Sequence, residues 1–394
     1  MKITGIETLP VAVGGHAGRF GGGYSEGYAE DYKFAVIVVL VRTDEGLTGV
    51  GEASLAGQGR AVLGVLDHFR EVLVGQDPGK IEHWWSELVR GTFWSNGQVI
   101  MSAVAGIDIA LWDLKGKALG VPVSSLLGGP TRDRVRVYIH LKGQTAEQLI
   151  EDGLRQKETG FTALRYGMLG ASLTNWDPQA AIVATIKGTE ALRAALGADV
   201  DLLLDAHTML SPAESAYLGH ALEPYRLFFY EDPIRPLNPT SLRLVRDKVN
   251  LPIATGEQLA HKWEFQPLIE EELVDYLRID MVHAGGITEA KKILAMGEAH
   301  GQRSALHHMS SPVNAVACLH VDTAIPNFGI QEWAELEPLY ELFPNAPRAH
   351  AGYVSPPTGP GLGLEFDEAE ALRRPSRDAR LPQRYWPDGG VADY

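Results

Sequence analysis

The chain has 394 residues, enough to bury a large core and more than one domain usually holds, so two domains are expected. Its 45% hydrophobic and 22% charged residues suit a soluble globular protein, and a formal net charge of −15 argues against nucleic-acid or anionic-membrane partners, which need clustered Lys and Arg. Cys318 is the single cysteine, which excludes an internal disulfide framework, fits a reducing, cytoplasmic compartment and reads as a small core residue.

In chain order, "MKITGIETLPVAV" reads as a strand and carries no basic region followed by an apolar block, so no secretory signal is expected. A Gly-rich loop comes next, over residues 13 to 32. After it, "KFAVIVVLVRTDEGLTGVGEA" predicts two strands joined by a turn at Asp44, Glu45 and Gly46. Its apolar run "FAVIVVLV" has strand length, not membrane length. Three helical stretches come after it. In the last, Val104, Ile107, Leu111 and Leu114 recur at helical spacing, and Gly120 sits where a helix ends. Residues 1–130 thus read as an α+β capping domain.

From residue 131 the rhythm changes. Eight strand-like runs appear: "VRVYIH", "FTALRY", "VDLLLDA", "LFFYE", "LPIAT", "VDYLRID", "QRSALH" and "NFGIQE". Most intervals between them hold a helical pattern, the fourth and fifth least cleanly. Strands alternating with helices imply parallel pairing, and eight such units predict an α/β fold of the (β/α)₈ TIM-barrel type over residues 131–348. The tail, 349–394, is rich in Pro and Gly and is expected to return to the first domain.

In such a barrel, chemistry sits at the C-terminal ends of the strands. The third strand ends in Asp205, the fourth in Glu231, and the fifth reaches Glu257, each 26 positions after the one before. One carboxylate at a strand end is ordinarily a cap or a salt-bridge partner; three at one-unit spacing converge, and they repel unless a cation lies between them. All-oxygen ligation suits a hard ion, Mg²⁺ before Mn²⁺ or Ca²⁺. Asp232 is the alternative ligand to Glu231, disfavoured by strand alternation. In "LLLDAH", His207 falls on the same face as Asp205 if the strand runs on through Ala206. The sixth strand ends in Asp280 and the seventh in His307 and His308. An Asp beside a His makes a base with an orienting partner, and either histidine fits that role. Glu332 ends the eighth strand.

Asp205, Glu231 and Glu257, followed by "RIDMVHAGGIT", the seventh-strand histidine and "PNFGIQEW", resemble the enolase superfamily, and the likeness spans nearly the whole chain, including "PGLGLEFDE" near its end. Within that superfamily, "DAH", "LEPYRLFFYEDP", "HAGGIT" and "PNFGIQE" are most similar to the sugar-acid dehydratases of the galactonate and mannonate branch. The resemblance implies a capped barrel, Mg²⁺ as cofactor, a small-molecule sugar acid as partner and a homo-oligomer. It also implies dehydration of an aldonate to the 2-keto-3-deoxy acid through a metal-stabilised ene-diolate. By the same resemblance Asp205, Glu231 and Glu257 bind the metal, and His307, oriented by Asp280, takes the C2 proton. His207 protonates the departing 3-OH, while Arg165, Glu332 and His308 contact substrate. The Gly-rich loop is expected to close over the site and sense the distal end of the sugar.

Two departures narrow the reading. Racemases of the mandelate type carry Lys-x-Lys on the second barrel strand, where this chain has Arg165 and Gly167. Mannonate dehydratases have an arginine there and add a loop tyrosine as base; "GMLGASLTNWDP" has none, and Tyr166 should point away from the mouth. The weight falls on His307 and Asp280, and resemblance to galactonate dehydratases in that arrangement implies acids of 2R configuration, such as D-galactonate or D-gluconate. The competing readings are a racemase, epimerase or cycloisomerase of the same superfamily, a D-mannonate dehydratase, and a non-catalytic sugar-acid binder.

Overall fold

The run Val36–Val41 is apolar without alternation because it is buried on both faces. Val36, Val38 and Leu40 join the main core, whereas Ile37, Val39 and Val41 pack into a second cluster beneath three helices. A computed structural model describes residues 1–13, 34–94, 96–171, 175–335, 337–376 and 383–393. All but the first residue of the Gly-rich loop lie outside these, as do residues 172–174 of the loop after the second barrel strand. The N-terminal sheet is antiparallel in the order β1 (Ile3–Val13), β2 (Phe34–Thr43), β3 (Thr48–Glu52), with the β2–β3 turn where the sequence put it. Helices α1 (Gly59–Leu73), α2 (Ile81–Arg90) and α3 (Gln98–Leu119) cover one face. At Gly51 the approach of α3 is so close that a Cβ would lie 2.0 Å from the Gly106 carbonyl oxygen.

After the short helix α4 (Val123–Leu126) come β4 (Val135–His140), β5 (Ala163–Gly167), β6 (Asp201–Asp205) and β7 (Phe229–Glu231). They continue as β8 (Ile253–Thr255), β9 (Tyr276–Leu277), β10 (Arg303–Ser304) and β11 (Gln331–Glu332). Seven of the eight runs read from the sequence contain one of these strands whole, and β5 runs one residue past "FTALRY", to Gly167. Neighbours pair in parallel from β10 down to β4 and on to β11, and a parallel bridge between Ser304 and Phe328 closes the barrel. The intervening helices are α5 (Ala146–Glu158), α6 (Pro178–Leu196), α7 (Pro212–Leu222), α8 (Arg243–Arg246), α9 (Lys262–Glu270), α10 (Gly286–Ala299) and α11 (Pro312–Ala324). The two weakly patterned intervals have physical causes: α8 is a single turn after a 3₁₀ segment, and α9 contains Pro267. The barrel interior mixes large and small side chains, Tyr138, Leu203, Phe229 and Ile330 among Ala163, Ala254 and Ala305. That apolar plug separates the polar groups at the C-terminal mouth from those at the opposite end of the barrel.

The tail binds both regions. Tyr353–Val354 pairs antiparallel with β4, while the Ala12 N–H donates to the Arg374 carbonyl at 2.8 Å and the Ser376 N–H to Pro10 at 3.0 Å. Among the described residues, no helix is long and apolar enough to cross a membrane.

Candidate active site

Register places the carboxylates. Gly167, Asp205 and Glu231 are direct partners across β5, β6 and β7, so the three strands end at one level. Asp205 is ion-paired with Arg165, and its Oδ1 accepts the His207 N–H at 2.6 Å. Glu231 lies 3.1 Å from Arg165 Nη2 and 2.9 Å from Arg278 Nη2. Glu257, two residues beyond β8, shares that same Arg278 nitrogen at 3.2 Å. Asp232 joins them unexpectedly. Its φ of 39° breaks the strand, so alternation no longer governs its side chain, and ligand atoms of Asp205, Glu231 and Asp232 all lie within 4.8 Å of one another.

This donor set fits a hard divalent cation. Asp205, Glu231 and Asp232 are at most 2% exposed, and burial pushes all three carboxyls above their usual range, with Arg165 and Arg278 only partly opposing it. The buried Oδ2 of Asp232 has no hydrogen-bond partner, an orphaned acceptor inside an all-oxygen cluster. Glu257 is held below its usual range, since His307, Arg278 and His207 outweigh its burial.

Across the mouth, His307 Nδ1 and Asp280 Oδ2 are 2.6 Å apart. The other Asp280 oxygen accepts the Val282 N–H at 2.7 Å and the His283 N–H at 3.2 Å, so the carboxylate is fixed. The ring therefore presents Nε2 to the cluster, 3.5 Å from Glu257 and 3.9 Å from Glu332. Burial disfavours its charge, but Glu257, Glu332 and Asp280 outweigh that and raise its pKa to about 10. His308 does not join the group. Its ring is buried against Trp333, at 5.7 Å between centroids, and only its backbone N–H reaches Glu332, at 3.0 Å. Of the sequence-derived contacts, Arg165 is spent on Asp205 and Glu231, while Glu332 is ligated by His140, Arg278 and the His308 N–H.

β6 stops at Asp205, so His207 reaches the mouth by a turn, at φ 48°, and not by strand alternation. Burial lowers its pKa to about 4, against the pull of Glu257. Tyr166 turns outward, its hydroxyl 2.6 Å from Thr189 on α6. Sequence reasoning missed two groups. His140 ends β4 with Nε2 2.6 Å from Glu332, and buried Arg278 joins Glu231, Glu257 and Glu332. The strand-end rule would have found His140, and alternation back from Asp280 would have found Arg278.

Comparison with known proteins gives a consistent result. Residues 30–128 match the family described as mandelate racemase / muconate lactonizing enzyme, N-terminal domain, and residues 148–370 match enolase C-terminal domain-like. A D-mannonate dehydratase of Caulobacter vibrioides is 39% identical over 385 residues, 91% of this chain and 96% of that one. A D-galactonate dehydratase family member of Streptomyces bingchenggensis is 38% identical over 386 residues, 91% and 94% of the two chains. A crystal structure of an enolase from Pantoea ananatis with bound D-gluconate and Mg superposes with TM-score 0.90 at 33% identity, covering 99% of both chains.

Proposed function

The chain belongs to the enolase superfamily and is a Mg²⁺-using enzyme of its dehydratase kind, a hydro-lyase; from that premise we propose that it converts a 2R aldonate, such as D-galactonate or D-gluconate, to the 2-keto-3-deoxy acid. The observation that carries the proposal is the 2.6 Å Asp280–His307 pair facing the carboxylate cluster. Asp205 and Glu231 would hold the ion with Glu257, which shares an Arg278 nitrogen with Glu231, while Asp232 clusters within 4.8 Å of the first two. Bound there, Mg²⁺ supplies Lewis acidity toward the substrate carboxylate and compensates the charge that otherwise keeps His307 protonated. His307, oriented by Asp280, takes the C2 proton. His207 gives a proton to the 3-OH as it leaves, and the substrate anion beside it supplies the countercharge that burial denies. The resulting enol tautomerises to the keto acid.

Arg165 neutralises part of the cluster, and Glu332 holds His140 and Arg278 at the rim where substrate oxygens would lie. Within the described residues, the second-strand side of the mouth offers Arg165 and Gly167 and no base, so only one C2 configuration is served. A second reading, D-mannonate dehydratase, is favoured by the activity named for the Caulobacter relative. The test is kcat/KM for D-galactonate, D-gluconate and D-mannonate under identical conditions with Mg²⁺. One of the first two should be preferred; preference for mannonate would require another base and would end the assignment of His307. The single cysteine, buried Cys318, accords with a cytoplasmic setting.

A further inference from the structure

Asp280 and His307 stand on consecutive β/α loops, and each loop runs within a few residues into the next helix, α10 or α11. Both helices begin against the N-terminal region, and a buried carboxylate meets each first turn. Asp108, on α3 and 3% exposed, accepts the Thr288 N–H of α10 at 3.0 Å. Trp112 and Trp85 reinforce the contact, donating to Thr288 Oγ1 and to the Gly285 carbonyl at 2.9 Å each. The approach is tight enough to explain the double glycine of "HAGGIT". Gly286 has φ 86°, and a Cβ there would lie 2.4 Å from Asp108 Oδ2. Glu52, at the end of β3 and fully buried, does the same for α11. Its Oε2 accepts the Ser311 hydroxyl at 2.5 Å and the Asn314 N–H at 3.2 Å, while Ser54 donates to Oε1 at 2.6 Å.

We infer that Glu52 and Asp108 are positioning residues for the proton-abstracting pair, each anchoring from the N-terminal region the helix start that fixes one member. The inference rests on reading Asp280–His307 as the base. The two loops meet through a parallel bridge between Asp280 and His307 and through the His307 N–H donating to Ile279 at 3.0 Å. With both loops tied at their far ends as well, the 2.6 Å contact is held from both sides. Asp113 supplies the matched comparison. It is equally buried on α3 and bonds the Val50 and Leu362 N–H groups at 2.9 and 2.8 Å, but touches the first turn of neither α10 nor α11.

The experiment measures kcat, KM and C2 hydrogen–deuterium exchange in the Mg²⁺-loaded enzyme, on the best of the three aldonates, per mole of folded protein. A displacement of about 1 Å at reacting groups costs on the order of 10²-fold, so Glu52→Ala and Asp108→Ala should each lower kcat and exchange by about tenfold or more at nearly unchanged KM. Glu52→Gln and Asp108→Asn, which keep an acceptor oxygen, should restore most of the rate. Asp113→Ala should lower Tm and leave kcat unchanged. If an alanine variant does not fold, Ser311→Ala removes one contact of Glu52 and should show the same kcat-only loss. Unchanged kcat in these variants, or an equal loss in Asp113→Ala, overturns the inference alone. Wild-type exchange in His307→Asn, run in parallel, overturns the reading of the base and this inference with it.

Discussion

The two ends of the barrel are both rich in charge and dispose of it differently. At the N-terminal end, cations and anions pair one to one at the surface: Arg136 with Asp201 at 2.7 Å and Arg246 with Asp275 at 2.8 Å, all four side chains 29–40% exposed. At the C-terminal mouth, Asp205, Glu231, Asp232, Glu257 and Glu332 crowd around two arginines, Arg165 and Arg278, and all but Glu257 are at most 2% exposed. Water screens the first set, so those pairs do little for stability. The second set is desolvated and short of positive charge, an arrangement that a bound divalent cation would complete.

The largest effect should come from disturbing the mouth. Chelation should abolish turnover and Mg²⁺ should restore it. Glu257→Gln should reduce metal affinity or activity by more than about 10²-fold, since even changes to groups behind a metal ligand cost 10–100-fold. Full turnover in excess chelator, with no metal in the protein, would break the comparison at its root. Asp232→Asn, measured beside Glu257→Gln for metal content, sharpens it by showing which carboxylate completes the set.

The smallest effect should come from the opposite end. A double-mutant cycle on Arg246 and Asp275 should give a coupling below about 1 kcal/mol, with kcat untouched. A coupling of several kcal/mol would mean that exposure does not separate the two ends as described.

What the sequence disclosed obeys the same division. Strands are periodic and obligatory, so the even spacing of Asp205, Glu231 and Glu257 was enough to locate the mouth and three carboxylates facing it. Alternation failed where strands stop: Asp232 and His207 both take positive φ just past a strand end, and neither orientation can be read from a period of two. Strand periodicity left His307 and His308 equally open, and only the family resemblance favoured His307. Which of the two lies beside Asp280 is set by the parallel bridge just beyond β9 and β10, and that residue is His307. The couplings of Glu52 to Ser311 and Asp108 to Thr288 span 259 and 180 residues, contacts that no local pattern signals.

The central claim is that proton removal and hydroxyl loss belong to different histidines. The measurement is C2 exchange and product formation in D₂O for two variants, on whichever aldonate the wild type turns over. His207→Asn should still exchange the C2 proton while forming little keto acid, and His307→Asn should do neither. Exchange persisting in His307→Asn, or lost in His207→Asn together with product, would contradict the account.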